Sequence, residues 1–219
     1  MAPLTVEIWS DVVCPWCYIG KRRFEAAVER FEHRDEVELR WRSFELDPEA
    51  APSSDLPAAE RLAQKYGMSV QDAAAKHAEM SVLAARDGLE FHLDRSRGGN
   101  TFDAHRLIAL AADHGVQDAL KERLMRAYFT DSEPIADHAT LARLAGEAGL
   151  DASEARAVLD SDRYADAVRS DERLALQIGI RGVPFFVLDR RYGVSGAQPA
   201  DALLGALEQA WAQRGRAAA

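Results

Sequence analysis

The first 46 residues switch twice between two spacings of apolar side chains. Residues 4–8 place apolar side chains at every second position, which is the spacing of a short strand with one buried face. From Pro15 to about Glu32 they recur every three or four positions and predict a helix. Residues 37–46 alternate again and predict a second strand. Because two parallel strands need a crossover, usually a helix, this order predicts an α/β fold.

The long middle of the chain is rich in alanine and favours helices. This composition begins after Asp47 and Pro48 and continues to about Gly179, with glycine and proline as interruptions. Strand composition returns at residues 183–188 and 192–194, and a final amphipathic helix follows Pro199. In the middle, the apolar spacing predicts helices near residues 57–66, 69–87, 101–114, 116–130, 138–148, 151–160 and 162–178.

These patterns predict an α/β core that a helical insertion splits in sequence. We expect residues 1–48 and 179–219 to form one domain, and residues 49–178 to form an inserted, all-helical domain. The insertion of roughly 130 residues has a reasonable size for a sub-domain.

Composition excludes two classes of partner. The chain has 219 residues, of which 47% are hydrophobic and 29% charged, so it can bury a core without cross-links. Lysine and arginine total 27 against 36 aspartate and glutamate residues, which gives a net charge of −9 at pH 7. Binding of nucleic acid or of an anionic membrane surface requires an excess of positive charge, so we expect neither.

Nothing in the sequence indicates export or membrane insertion. The N-terminus has an acid at Glu7 and lacks the basic and apolar regions of a secretory signal. No apolar run approaches the ~20 residues of a spanning helix. We therefore expect a cytoplasmic protein, a monomer or a homodimer, in which a lasting structural disulfide is not expected.

The two cysteines lie three positions apart, where the first strand gives way to the first helix. A pair that close cannot cross-link distant segments. Cys14 falls at the start of the helix, where unpaired backbone N–H groups and the helix dipole favour an anion. We predict that this position lowers the pKa of Cys14 and makes it the nucleophile, and that the more buried Cys17 resolves the mixed disulfide.

Two other interpretations of the cysteine pair are open. A zinc site would need further ligands, but there is no second C-x-x-C and the six histidines lack ligand spacing, so we expect no metal. The pair would also fit two inert cysteines packed in a helix. The position between a strand and a helix favours redox chemistry.

Five segments spread over nearly the whole chain form a combination that is more specific than C-x-x-C by itself. They are residues 10–21 (SDVVCPWCYIGK), 44–46 (FEL), 100–107 (NTFDAHRL), 182–186 (GVPFF) and 195–199 (SGAQP). Together and in this order they resemble the FrnE-like branch of the DsbA family of thiol-disulfide oxidoreductases.

The resemblance implies a thioredoxin fold with a large helical insertion and a redox-active pair of Cys14 and Cys17, with no other cofactor. It also implies a cis peptide bond between Val183 and Pro184 that faces the cysteines, although from the residues themselves Pro184 equally fits the start of a strand. Val183 would pair with an extended substrate segment as an added strand. The substrates would be thiols or disulfides of proteins or small molecules.

One departure from the family concerns the residues between the cysteines. Periplasmic members typically have Pro-His there, whereas this chain has Pro15 and Trp16, so the oxidising strength of those members does not carry over. A reducing cytoplasm favours reduction, isomerisation or redox sensing over net disulfide formation. Trp16 would present an apolar rim to unfolded polypeptide, or pack in the ordinary way.

Two alternative functions remain open at this point. The related kappa-class glutathione transferases and hydroxychromene-carboxylate isomerases share the architecture but usually have serine at the position of Cys14, which argues against their chemistry. Glutathione is still a candidate co-substrate, with Ser195 and Gln198 as its contacts. The other alternative is a non-catalytic, chaperone-like or redox-sensing module.

Two further residues are candidates for tuning the site. Asp11, three residues before Cys14, would tune the thiolate or relay a proton, although an acid before a helix is more often a cap. His105 lies in a family-like motif and would line the cleft, although a lone helical histidine more often packs or faces solvent.

Overall fold

The computed structural model describes residues 3–217. Its first part contains β1 (Leu4–Ser10), α1 (Pro15–Arg30) and β2 (Val37–Ser43). The middle contains α2 (Ala58–Tyr66), α3 (Val70–Ala85), α4 (Phe102–Asp113), α5 (Gln117–Phe129), α6 (His138–Glu147), α7 (Ala152–Leu159) and α8 (Ala165–Gln177). The last part contains β3 (Phe185–Leu188), β4 (Tyr192–Ser195) and α9 (Ala200–Ala217).

The four strands form one mixed sheet in the order β2-β1-β3-β4. β1 is parallel to β2 and antiparallel to β3, and β3 is antiparallel to β4. In this register Ile8 lies opposite Trp41 on one side and Phe186 on the other. The two halves of the sheet come from the two ends of the chain, as the sequence predicts.

The register places apolar side chains on both faces of the sheet. Ile8, Trp41 and Phe186 share one face, where the rings of Phe24 from α1 and Phe186 lie 5.6 Å apart. α9 packs against α1 and against β3 and β4. The fold therefore holds α1, the helix that carries the cysteines, directly on the central strands.

The other face of the sheet carries a second apolar cluster. Trp9 and Val187 pack there with Ala175 and Ile180, which lie at and after the end of α8. The indole N–H of Trp9 also donates to the backbone oxygen of Asp171, at 3.0 Å. This packing attaches the second half of α8 to the sheet.

The chain divides into two compact units, one of residues up to Phe44 and from Asp171 on, and one of residues Glu45–Ser170. The first boundary lies four residues before the predicted one at 48, and the second lies eight residues before the predicted one at 178. The second differs because the contacts of Trp9 attach the end of α8 to the sheet unit. Residues 1–2 and 218–219 of the predicted sheet domain lie outside the described residues.

The second unit is built from helices alone, apart from one isolated bridge between Ser54 and Gly98. Its helices pack in pairs, α2 on α3, α4 on α5 and α6 on α7. None of the helices within residues 3–217 is long and apolar enough to cross a membrane. The fully buried leucines of the second unit are Leu107, Leu110, Leu120, Leu124, Leu141 and Leu144.

Two strands are shorter than predicted. β2 ends at Ser43, not near residue 46, because its partner β1 ends at Ser10, which lies opposite Ser43. β3 begins at Phe185, not at Val183, because Pro184 has no N–H to offer to the sheet.

The carboxylate of Glu7 is buried in the sheet unit and is only 2% exposed. It accepts hydrogen bonds from Arg42, at 2.9 Å from the guanidinium Nε, and from Arg190, at 3.2 Å. Arg42 also donates to Asp171 at 2.9 Å. Burial would raise the pKa of Glu7, but the hydrogen bonds and charges of Arg42 and Arg190 outweigh it and hold the pKa below its usual value.

Glu7→Gln tests this ion cluster. A carboxylate with a lowered pKa stabilises the fold above its ordinary pKa, and the stabilisation is lost as the pH falls through the lowered value. Near neutral pH we expect the free energy of unfolding of the variant to be about 1–3 kcal/mol lower than that of the wild type. As the pH falls, the free energy of unfolding should decrease less in the variant than in the wild type. Urea unfolding at neutral and acidic pH measures both.

Glu38→Gln is the matched control, because Glu38 pairs with Arg40 and its side chain is 40% exposed. We expect little change there. Equal effects of the two substitutions would contradict the role of Glu7.

Candidate active site

The two cysteines lie where β1 ends and α1 begins. Cys14 is the N-cap of α1, with extended backbone, and Pro15 takes the first helical position, where a missing N–H costs nothing. The Cys14 sulfur accepts the backbone N–H of Cys17 at 3.3 Å. One helical turn thus brings the two residues together, as their spacing predicts.

Both cysteines are free thiols and both are buried. Cys14 is 3% exposed and Cys17 is 1% exposed, so the predicted order of burial is present but the difference is small. A substrate sulfur therefore has to reach a residue that is largely covered.

The pKa of Cys14 is raised well above its usual value, so the predicted lowering is wrong for the reduced pair. The hydrogen bond with the Cys17 side chain, burial and the charge of Cys17 all raise it. The backbone N–H of Cys17 lowers it, as expected at a helix N-terminus, but this contribution is smaller. The reduced site therefore stores Cys14 as a neutral thiol.

Asp11 is a buried acid beside this pair, with an exposed fraction of 1%. Its Oδ1 accepts the N–H of Val12 at 2.7 Å, and it does not cap α1, since Cys14 occupies the cap. The negative charge of Asp11 adds to the rise in the pKa of Cys14. Asp11 thus acts on the thiol electrostatically and disfavours the thiolate.

The loop before β3 reaches the cysteines. The peptide bond between Val183 and Pro184 is cis, which confirms that expectation. The Cys14 thiol donates to the Val183 backbone oxygen at 3.7 Å. Val183 is partly exposed, and within residues 3–217 its own backbone N–H has no partner. Two residues far apart in sequence, Cys14 and Val183, therefore meet.

The loop between β4 and α9 lies beside Pro184. The N–H of Gly196 donates to the Pro184 oxygen at 2.8 Å. The side-chain amide of Gln198 donates to the Ser195 oxygen at 2.8 Å, within its own loop. The structure thus places Ser195 and Gln198 next to the Pro184 segment, and their predicted contacts with glutathione stay a prediction.

Trp16 and His105 lie in different compact units. Trp16, between the cysteines, is 43% exposed, a high value for a tryptophan. His105 lies on α4 in the helical unit, where its side chain is buried. The role of His105 in lining a cleft stays a prediction.

Two residues of α1 to which the sequence motifs assign no separate role, Gly20 and Arg23, contact these loops. A Cβ atom placed on Gly20 would lie 2.9 Å from Cγ of Pro184. Arg23 donates to the Ala197 oxygen at 2.7 Å. The signal in the sequence was a glycine inside a helix, which is unfavourable unless a close approach requires it.

Residues 3–217 contain no group of three or more histidine, cysteine, aspartate or glutamate side chains placed to hold a metal ion.

A mixed four-stranded sheet with a dithiol at the start of its first helix defines a thiol protein of thioredoxin fold. The chain matches the family model of the DSBA-like thioredoxin domain over residues 5–208, and it belongs to that family. The predicted family and fold class, a thioredoxin fold with a large all-helical insertion, are confirmed. Thiol-disulfide oxidoreduction is the general activity that this membership supports.

Among solved structures, the chain is similar to a probable DsbA oxidoreductase from Streptomyces coelicolor, with 51% identity and a TM-score of 0.91 over 95% of this chain and 90% of that one. The uncharacterized protein YwbO of Bacillus subtilis is 28% identical, over 84% of this chain and 86% of its own length. The cytosolic disulfide reductase DsbM from Pseudomonas aeruginosa, in a structure with GSH, is 20% identical, with a TM-score of 0.63 over 94% and 98% of the two chains. At 20% identity, this similarity shows only that the two chains share a fold.

Cys17→Ala tests the cause of the raised pKa. Because the Cys17 side chain raises the pKa of Cys14 by its hydrogen bond and its charge, we expect the ionisation of Cys14 to move to lower pH. Cys17→Ser removes the charge and leaves a hydroxyl that can donate a hydrogen bond to the Cys14 thiolate, so a shift in the same direction and at least as large is expected. The ultraviolet absorbance of the thiolate against pH measures both. An unchanged or higher midpoint in Cys17→Ala would contradict this account.

Proposed function

We propose that this protein reduces or isomerises disulfides through Cys14 as nucleophile and Cys17 as resolving thiol. The observation that carries the proposal is the position of Cys14 at the N-cap of α1, where its sulfur accepts the N–H of Cys17 at 3.3 Å. This arrangement keeps the second thiol one turn from the first. It is what a two-step thiol-disulfide exchange requires.

The reaction proceeds in two exchanges. The Cys14 thiol loses its proton, and its sulfur attacks one sulfur of the substrate disulfide to form a mixed disulfide. The bond between the two substrate sulfurs breaks, and the other substrate sulfur leaves as a thiolate and takes up a proton. The Cys17 thiolate then attacks Cys14 in the mixed disulfide and releases the second substrate sulfur. Two electrons and two protons pass to the substrate, and Cys14 and Cys17 end as a disulfide.

Net reduction requires an external thiol to restore the dithiol. We propose glutathione, two molecules of which supply two electrons and two protons and leave as glutathione disulfide. DsbM, which shares the fold, is described as a disulfide reductase and was solved with GSH. The contacts proposed for glutathione are Ser195 and Gln198. The redox chemistry itself needs no cofactor beyond the cysteine pair.

We propose that electrons flow from the dithiol to the substrate, and the raised pKa of Cys14 supports this direction. A strong oxidant owes its strength to a stabilised reduced form, above all to a stabilised thiolate. Here burial, Cys17 and Asp11 all disfavour the thiolate. This supports reduction or isomerisation rather than net disulfide formation.

We propose that Val183 binds the substrate backbone. Among the described residues its N–H has no hydrogen-bond partner and its oxygen accepts a hydrogen bond from the Cys14 thiol alone, so an extended segment can pair with both groups. Such pairing would hold the substrate sulfur close to Cys14. Trp16, 43% exposed, would add an apolar contact for the residues beside the substrate cysteine.

The cytoplasmic location and the monomeric or homodimeric state stay predictions from the sequence.

Substitution of each cysteine by serine tests the proposed function. Cys14→Ser should reduce insulin disulfides no faster than the thiol reagent by itself, because the nucleophile is lost. Cys17→Ser should accumulate a mixed disulfide with the substrate, because nothing resolves it. Turbidity reports the reduction, and mass spectrometry without reductant reports the trapped complex. Undiminished insulin reduction by Cys14→Ser would contradict the proposal.

Trp16→Ala tests the apolar contact. We expect the KM for an unfolded protein substrate to rise about tenfold, the loss expected for part of a buried tryptophan, while the rate with a small disulfide stays near wild type. Leu176→Ala is the matched control, since Leu176 lies in the same compact unit and is 67% exposed. An equal rise in KM in the two variants would argue against a specific contact.

A further inference from the structure

We propose that Gly20 is a positioning residue of the dithiol site: its missing side chain lets α1 approach Pro184 closely, and this approach holds the Val183 carbonyl against the Cys14 thiol. The part of this inference that concerns turnover rests on the proposed function. The part that concerns the thiol does not.

The close approach is visible at Gly20. A Cβ atom there would lie 2.9 Å from Cγ and 3.5 Å from Cβ of Pro184, and 3.5 Å from Cβ of Ala197. The first distance is shorter than carbon atoms tolerate. The proline ring can move Cγ only by a change of pucker, which is less freedom than a flexible side chain has, so an added methyl group pushes the Pro184 segment and α1 apart.

Pro184 is coupled to the thiol through its neighbour in sequence. Val183 directly precedes Pro184, and its oxygen accepts the Cys14 thiol at 3.7 Å. The Pro184 oxygen in turn accepts the N–H of Gly196 at 2.8 Å, so the two loops move together. A displacement of Pro184 away from α1 therefore also withdraws the Val183 oxygen from Cys14.

Glycine inside a helix needs such a reason. It destabilises a helix relative to alanine, and Gly20 lies well within α1 and is buried. The chain offers a contrast in Gly205 of α9, where an added Cβ would meet no atom within 4 Å. Alanine would fit at Gly205, whereas the loop at Pro184 excludes it at Gly20.

We expect Gly20→Ala to change two rates in opposite directions: the alkylation of Cys14 becomes faster, and the reduction of a protein disulfide becomes slower. The bond from the thiol to the Val183 oxygen stabilises the neutral form of Cys14, so its loss favours the thiolate. We expect Gly20→Ala to speed the reaction of Cys14 with iodoacetamide about threefold at a fixed pH below the midpoint of ionisation. Reduction of a protein disulfide should slow about tenfold, because the displaced Val183 backbone no longer aligns the substrate.

The experiment compares Gly20→Ala with Gly205→Ala in the full-length reduced protein. Alkylation of Cys14 is followed against pH in a Cys17→Ala background, so that one thiol titrates, and insulin reduction is followed with both cysteines present. Gly205→Ala should match the wild type in both assays and keep or raise the thermal midpoint. An alkylation profile of Gly20→Ala identical to that of Gly205→Ala would overturn the proposal. A general loss of structure would expose Cys14 and also speed its alkylation, so the profiles are compared at a temperature at which thermal unfolding curves show each variant to be folded.

A second pair of variants covers a failure of Gly20→Ala to fold. Pro184→Ala removes the ring atom that the new methyl group would meet, so Gly20→Ala should add little to the alkylation profile or the thermal midpoint in that background. An undiminished effect of Gly20→Ala there, or a double variant that also fails to fold, would overturn the proposal. If wild-type protein reduced no disulfide, the proposed function would fail, while the alkylation profiles would still decide the role of Gly20.

Discussion

The sulfur of Cys14 occupies the cap of α1, and the rest of the site depends on that position. At most helix starts a serine, threonine, aspartate or asparagine oxygen accepts the free backbone N–H. Here the thiol sulfur accepts the N–H of Cys17, and the same thiol donates to the Val183 oxygen. One atom thus joins the start of a helix to a loop from the other end of the chain. Its protonation state and the placement of that loop are therefore coupled.

Opposing forces act on the charge of that sulfur, and their balance decides what the reduced site does. The helix N-terminus favours a thiolate, but Cys14 is only 3% exposed, and the Cys17 thiol and the Asp11 carboxylate both disfavour a second negative charge. A cation between the cysteines would reverse this balance, but Pro15 and Trp16 supply none. The neutral thiol is consequently the stored form.

The sequence predicts local secondary structure well, but it predicts poorly the features that depend on contacts between segments far apart in the chain. Helix and strand periods are local, so the limits of α4, predicted at 101–114, lie one residue from Phe102–Asp113. The cis bond at Val183 came from the family resemblance and not from spacing. The sign of the pKa shift at Cys14 was missed, because burial depends on segments far along the chain. Gly20 was missed for the same reason, since the atoms that exclude a side chain there belong to Pro184 and Ala197.

The antiparallel pairing of β1 with β3 explains why a site made from both ends of the chain tolerates a long insertion. In that pairing Trp9 lies opposite Phe185, so β1 finishes and β3 begins at the same end of the sheet. The chain leaves β1 toward Cys14 and enters β3 from Val183 at that end of the sheet. A shift of one residue would turn Phe186 away from Phe24 and bury the wrong face. The apolar alternation that fixes this register therefore also places the carbonyl beside the thiol.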